Sequence, residues 1–398
     1  MGVRRTDEDV WDLVVVGAGP AGTSAALGAL AADPARRVLL LDREDFPRDK
    51  SCGDGIAPHV LDALASVGVH DVAAGWTPLR QMVLARPPSS ARVQRSLHRP
   101  VWVIPRQVLD LRLVQHAVRA GAELRRHRVR DVQVTADGVV LDGRFTGAVV
   151  VAADGAHSVL RPATGQPSVR RRALAIRGYA PTPASGVGKQ VIVYGERRQP
   201  SYAWAFDRGD GLSNIGYGEL LGTGAEPPSR TLLLQQLELL LPGAADGATH
   251  WHAHHLPLSQ LRWRQPDGRL LLAGDAAGLV NPMTGEGIYY AVASGILAGR
   301  AAVAALAESA PERAGALHRT SVRRQFARHL RHTSVTSTLS DSPAVVDAGI
   351  RAAARDQGVF DDLVEIGLGQ GLITPRLLGG LTRALVTRPP RPQPSVAP

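Results

Sequence analysis

Asp42, Asp154, Asp275, Glu286 and Cys52 stand in contexts where a side chain could take part in chemistry. Asp42 closes a unit that opens with Gly17-Ala18-Gly19-Pro20-Ala21-Gly22. Glycines in that pattern permit a tight turn, let the backbone approach a pyrophosphate and let a helix pack on a strand, while the free amides of the helix N-terminus face the anion. Asp42 follows Gly22 by twenty residues, where a ribose-binding carboxylate is needed. The spacing predicts a dinucleotide site, with NAD and FAD both open at this point. Asp154 in Ala152-Ala153-Asp154-Gly155-Ala156-His157-Ser158 and Asp275 in Leu272-Ala273-Gly274-Asp275-Ala276-Ala277-Gly278 each follow a strand. A carboxylate directly after a strand and a glycine, as at Asp275, is well placed to accept from sugar hydroxyls. Cys52, the single cysteine, lies in Pro47-Arg48-Asp49-Lys50-Ser51-Cys52-Gly53-Asp54-Gly55-Ile56. A thiol with a pKa near ~8.5 is mostly protonated at neutral pH and could donate a proton.

The elements that must position these residues follow from apolar periodicity. A β-branched run at 12–16, the glycine turn, an alanine-rich helix at about 21–32 and a second apolar run at 38–41 make a strand, helix, strand unit with a parallel sheet. Leu109, Leu113, Val114 and Ala117 recur at helical spacing between Arg106 and the stop at Gly121. Residues 131–141 alternate around an Asp137-Gly138 turn and precede a strand at 148–152. From 170 to 255 the pattern changes to strands. Tyr202, Trp204 and Phe206 alternate, Asp210-Gly211 turns the chain and 212–218 returns. A helix is expected near 232–241. A last strand-to-helix junction runs from 270 to about 306, so nucleotide-binding elements bracket a strand-rich insertion. An arginine-rich helix follows Pro311, then an apolar stretch from Phe360 to Val386, then a proline-rich end at 389–398 expected to be disordered.

Composition narrows the partners. The chain has 398 residues, a net charge of +10 and only two lysines, Lys50 and Lys189. The arginine clusters come without interleaved aromatics or a nucleic-acid motif, so nucleic acid is set aside and an anionic substrate or membrane surface preferred. One cysteine excludes an internal disulfide, and no charged-then-apolar leader precedes the first motif, which reads as cytoplasmic. Arg300 interrupts the apolar stretch 295–306, so no membrane span is expected, and a peripheral contact is left open. His250, His252 and His254 alternate with His255 adjacent, but the one nearby acid is Asp246, so no metal site is expected. Gly367-Leu368-Gly369-Gln370-Gly371 lacks a preceding strand and reads as a loosened helical turn.

With Asn281-Pro282-Met283-Thr284-Gly285-Glu286-Gly287-Ile288 after the Asp275 segment, the chain resembles the geranylgeranyl reductase family, within the larger flavoprotein group that includes para-hydroxybenzoate hydroxylase. The resemblance covers roughly residues 10 to 310. It implies a doubly wound, Rossmann-like α/β FAD-binding domain with an inserted antiparallel β-sheet as substrate domain. The expected divisions are 1–160 and 268–310 for the FAD domain, 161–267 for the insert and 311–398 for a C-terminal helical extension. It implies that Asp275 bonds the ribityl chain, that Asp154 and Gly155 support the cofactor, and that Arg106 lies near it. Gly17, Gly19, Pro20, Ala21, Gly22, Asp42, Arg43, Cys52, Gly53, Gly274, Gly285, Gly287 and Ile288 complete the expected cofactor set. Gly285 to Ile288 should open a helix whose positive end faces the flavin ring. The Cys52 segment resembles the family's P-R-x-K-x-C-G-x-G run beside the flavin. Tyr202, Trp204 and Phe206 resemble its Y-x-W-x-F substrate motif, with Tyr217 added to that wall, although Asp207 stands where proline is common.

The implied activity is reduction of isoprenoid carbon-carbon double bonds, with Cys52 and Glu286 as the catalytic pair. A monooxygenase acting on a prenylated or polyketide metabolite keeps the same frame, and a flavin-binding module without turnover is a third reading. No second dinucleotide fingerprint is present. Electrons are expected from transiently bound NAD(P)H or from a separate reductase or ferredoxin.

Overall fold

The computed structural model describes residues 10–222, 226–260 and 264–387; the proline-rich end expected at 389–398 lies outside the described residues. The chain opens with β1 (Val10–Val16), α1 (Pro20–Ala32) and β2 (Val38–Asp42). β3 (Gly55–Ile56), α2 (Pro58–Ala65), β4 (Leu79–Arg86), β5 (Ala91–Val103) and α3 (Arg106–Arg119) follow. Then come β6 (Glu123–Arg126), β7 (Val132–Val134), β8 (Val139–Leu141) and β9 (Phe145–Ala152). The strand-rich part holds β10 (Arg172–Pro181), β11 (Lys189–Tyr194), β12 (Tyr202–Asp207), β13 (Leu212–Leu220), α4 (Arg230–Leu240) and β14 (Thr249–Pro257). β15 (Leu270–Leu272), α5 (Ile288–Ala307), α6 (Ala314–Leu339), α7 (Pro343–Arg355), α8 (Gln357–Leu368) and α9 (Pro375–Val386) complete it.

Among the described residues two sheets form. In the first, β6, β2, β1, β9 and β15 run parallel, and the β7–β8 hairpin extends it beside the start of β9. Its central strands are apolar on both faces, and Leu13, Val14, Val15 and Leu39 to Leu41 are fully buried. All the parallel strands end toward one edge, where the turns carrying Gly17, Asp42, Asp154 and Asp275 gather. This is the doubly wound α/β domain that the sequence implied.

The second sheet has the order β14-β10-β13-β12-β11-β4-β5-β3 and is antiparallel apart from the parallel pair β11–β4. The division at residue 160 therefore needs correction, because β3, β4 and β5 belong to this roof sheet. β4 alternates between its two faces, Met82 and Leu84 toward α7 and α8, Ala85 toward α4. The roof draws on residues from both sides of the first domain's hairpin.

α5 also departs from expectation. Despite Arg300 it is, by length and composition, apolar enough to cross a bilayer, yet most of it is buried in the protein. It lies against α1 with almost no side-chain layer between them: a Cβ at Gly295 would stand 2.1 Å from the Ala21 carbonyl oxygen, and one at Gly299 2.0 Å from that of Ala25. Its apolar length serves the floor of the first domain.

The C-terminal helices are fastened to the roof by a buried ion pair. Arg86 of β4 donates twice to Asp347 of α7 at 3.1 Å, and Ser89 donates to the same carboxylate. Removing one partner leaves the other charge buried and uncompensated. Asp347→Ala is expected to lower stability by about 3 kcal/mol in urea unfolding, toward the low end of such losses because Glu196 still accepts from Arg86. Earlier proteolytic cleavage within 343–386 should accompany the loss.

Candidate functional site

A cavity of about 1010 Å³ runs between the two domains. At one end lie Gly17, Gly19, Pro20, Ala21, Asp42, Arg43, Arg106, Asp154 and Gly155. In the middle are Cys52, Gly53, Asp275, Gly285, Glu286, Gly287 and Ile288, and beyond them Tyr202, Trp204 and Phe206. The far end is apolar, walled by Met82, Leu84, Ile192, Ile350, Leu363 and Leu381.

The first end has the form of a pyrophosphate cradle. Gly17 adopts φ +98°, and a Cβ there would meet the Ala153 carbonyl oxygen at 2.4 Å, so only glycine fits the turn. A Cβ at Gly19 would lie 3.4 Å from Arg48 Nη2 and 3.6 Å from Arg106 Nη2. Two guanidiniums thus flank the helix N-terminus. Arg106 forks onto Asp110 at 2.7 and 2.8 Å, and Arg48 reaches the same carboxylate at 3.2 Å. Asp42 accepts from the Ala18 amide at 2.7 Å and the Glu44 amide at 3.0 Å, which fixes its carboxylate at the end of β2. Asp154 accepts from the Val159 amide at 2.7 Å, and its buried Oδ1 has no hydrogen-bond partner among the described residues. Lys50 approaches Asp275 at 3.5 Å. A glycine turn flanked by paired arginines, with carboxylates held at the ends of β2 and β9, fits the residues an FAD would need.

Gly22 and Gly274 act by packing and do not line the cavity. A Cβ at Gly22 would overlap the Gly17 carbonyl at 1.7 Å, and one at Gly274 would stand 3.0 Å from the Ala21 Cβ.

In the middle, burial sets the protonation states. Loss of solvation, with Asp54 nearby, pushes the Cys52 thiol up to about 11, so it is neutral at physiological pH. Burial raises the Glu286 carboxyl to about 7, although it accepts from the Tyr289 amide at 2.9 Å at the start of α5. Asp54 is fully buried at φ +58° and is raised to about 6, chiefly by burial against the lowering effect of the Tyr179 hydroxyl bond. Asn214 ties these parts together. It donates to the Cys52 carbonyl and to Asp54 at 2.8 Å each and accepts from Trp204 Nε1 at 2.8 Å. The thiol loop and the aromatic wall are therefore held by one roof residue.

The aromatic wall follows strand alternation. Tyr202, Trp204 and Phe206 share the cavity face, with Trp204 against Gly216, where a Cβ would come within 2.3 Å of the indole. Tyr217, one residue on, faces the other way by the period-2 rule and packs with Leu233 and Leu237 of α4. Its assignment to the substrate wall is corrected accordingly. Asp207, where proline was the alternative, accepts from the Gly188 and Gly209 amides and closes the hairpin end. Of the four histidines, His252 and His254 line the cavity, and His254 is lowered to about 4 by burial and by the charge of Lys50.

Arg48, Asp54, Asp110 and Asn214 were not singled out from sequence. The spacing of four between Arg106 and Asp110 on a helix and the place of Arg48 in the P-R-x-K-x-C-G-x-G run are the visible signals; Asp54 and Asn214 depend on partners far along the chain.

Residues 10–185 match the family model for an FAD binding domain. A menaquinone reductase of Mycolicibacterium smegmatis is 35% identical over 72% of this chain and 75% of its own length. Digeranylgeranylglycerophospholipid reductase 1 of Methanopyrus kandleri is 31% identical over 75% of this chain and 82% of its own. A geranylgeranyl bacteriochlorophyll reductase-like protein of Thermoplasma acidophilum, 18% identical, superposes with a TM-score of 0.79 over 94% of this chain and 96% of its own. The cradle, the placement of Cys52 and the extent of these likenesses make this chain a member of the geranylgeranyl reductase family of FAD-dependent oxidoreductases.

Proposed function

We propose that this enzyme reduces carbon-carbon double bonds of a long isoprenoid chain. The observation that carries the reading is one cavity continuous from the glycine turn, past Cys52 and Glu286, to an apolar end. The names of the relatives, reductases of prenylated quinones and lipids, support the same substrate class. Reduced flavin, when bound, supplies the hydride. Cys52 holds a proton on Sγ and donates it to the alkene carbon opposite the hydride, because an unactivated alkene accepts hydride poorly without protonation. Glu286 returns a proton to the sulfur, being raised to about 7 and so able to cycle near neutral pH. Tyr202, Trp204 and Phe206 hold the reacting segment, and α7 to α9 enclose the rest of the chain and exclude water.

The test is anaerobic turnover of flavin-loaded enzyme with dithionite and geranylgeranyl diphosphate, with products identified by mass. Products heavier by two hydrogens per event are expected. Products formed only in air and carrying oxygen would replace this reading with the monooxygenase.

Gly349 of α7 lines the apolar end, and a Cβ there meets nothing closer than Leu381 Cδ2 at 3.8 Å. Gly349→Leu is therefore expected to fill the cavity without disturbing the fold. Competition between geranyl, farnesyl and geranylgeranyl substrates should shift toward the shorter chains, with flavin content unchanged.

A further inference from the structure

A long apolar substrate that fills the cavity also shuts out the water that would restore the protons used there. We propose that His59, buried between α2, α5 and α8, carries protons from Glu365 at the surface to Glu286. The inference deepens the reading above and rests on it for the reaction that consumes the proton.

His59 is 6% exposed, and its Nε2 lies 3.0 Å from Glu365 Oε2, whose side chain is 38% exposed. Its other ring nitrogen, Nδ1, is buried and has no hydrogen-bond partner among the described residues. The ring packs on the ring of Tyr289 with centroids 5.7 Å apart, and the amide of that same residue donates to Glu286 Oε1. One histidine thus stands between a surface acid and the first turn of α5, where Glu286 faces the cavity. An imidazole can take a proton on one nitrogen and release one from the other, which neither a carboxylate nor an amide does as readily near neutral pH.

The other polar groups around it are already engaged. Asp62 of α2 is held by both terminal nitrogens of Arg99 from β5 at 2.7 Å. His329 of α6 is bonded to the Tyr290 hydroxyl and the Gly371 carbonyl, and the Tyr289 hydroxyl accepts from Gln325 and Gln370. Glu365 and Glu286 are the carboxyls left to exchange protons with His59.

The balance closes over one event. The double bond gains the reduced flavin's hydride on one carbon and the Cys52 proton on the other, and the flavin is left oxidised by two electrons. The thiolate takes the Glu286 proton, the Glu286 carboxylate takes one that leaves His59 Nδ1 through an intervening water, and His59 regains one on Nε2 through Glu365 from solvent. The external reductant that restores the flavin is the one the proposed reaction already requires.

Two measurements test the relay. The first needs no turnover. In flavin-loaded protein with the cavity filled by phytanol, the carboxyl infrared band lost in Glu286→Gln is followed on transfer from H₂O to D₂O at pH 6. His59→Gln should slow its isotopic shift by about tenfold or more, with a smaller slowing in Glu365→Gln. Exchange at the wild-type rate in His59→Gln overturns the proposal. Should His59→Gln fail to fold, the surface variant Glu365→Gln carries the same test, and an unslowed shift there overturns it.

The second is multiple turnover on geranylgeranyl diphosphate with dithionite at pH 7.5. His59→Gly should lose about tenfold or more in rate with an increased solvent isotope effect, and free imidazole should restore it. A loss that imidazole leaves unchanged, with an unchanged isotope effect, points to packing alone and overturns the relay. If wild-type enzyme reduces no prenyl substrate, the reading of the reaction fails, while the exchange rate still decides the relay.

Discussion

Gly19→Val is expected to purify folded and colourless. Gly19 has φ −76°, a value any residue adopts, and a Cβ there would meet protein only at 3.4 Å and beyond, at the ends of two arginines. Nothing in the chain resists the valine. What it occupies is the space in front of the α1 amides, between Arg48 and Arg106, the position proposed for the pyrophosphate. Losing charged hydrogen bonds worth about 1.5–3 kcal/mol weakens binding by about one to two orders of magnitude. Flavin absorbance and chromatography of the released cofactor check the effect, and circular dichroism checks the fold. Gly17→Val and Gly22→Val serve as contrasts, since their side chains would collide with backbone at 2.4 and 1.7 Å and should cost folding itself. A yellow Gly19→Val protein with full FAD content would refute the cradle.

Cys52→Ala is expected to keep its FAD and to lose about 10²–10⁴-fold in reductive turnover, the usual worth of a positioned acid. Glu286→Gln should differ in kind. Its first turnover proceeds, since Cys52 is still protonated, and later ones stall because the sulfur is not recharged. The pH profile separates the two groups. A carboxyl raised to about 7 is protonated below that pH and ionised above it, so steady-state turnover should fall as pH rises through about 7. The thiol, raised to about 11, stays protonated across the range and gives no limb there. In Glu286→Gln the limb near 7 should disappear. A limb that survives that substitution, or full activity of Cys52→Ala, overturns the assignment of the pair.

Much of the first domain could be read from the chain because its signals are local. The turn 17–22, the apolar runs beside it and the hairpin at Asp137-Gly138 each specify their geometry within a few residues, and Asp42 and Asp275 stand at the strand ends where they were expected. The roof was only half legible. β12 and β13 announced themselves by alternation around Asp210-Gly211, whereas β4 and β5 went unread and were left inside the FAD domain. β4 pairs on one side with β11, about a hundred residues further along the chain, and on the other with β5 across Pro87-Pro88-Ser89-Ser90, a turn without the glycine that marks the β12–β13 hairpin. Tyr217 was misplaced by one step of a period-2 pattern, the smallest error that reverses a face. Asn214 was invisible for the same reason as Asp54. A polar residue in a strand shows its purpose only when the loop from 52 to 55 arrives beside it.

The backbone contact between α1 and α5 divides the labour of the molecule. One helix begins at the phosphate cradle and the other begins beside Glu286, and with Gly295 and Gly299 pressed on the α1 backbone neither start can shift without the other. The distance between the glycine turn and Glu286 is thereby set as by a gauge block. Adaptation to a different tail or ring has to be written in the roof and in α7 to α9, whose side chains reach the same cavity through ordinary packing. New specificities can accumulate there one residue at a time while the reacting distances stay as they were.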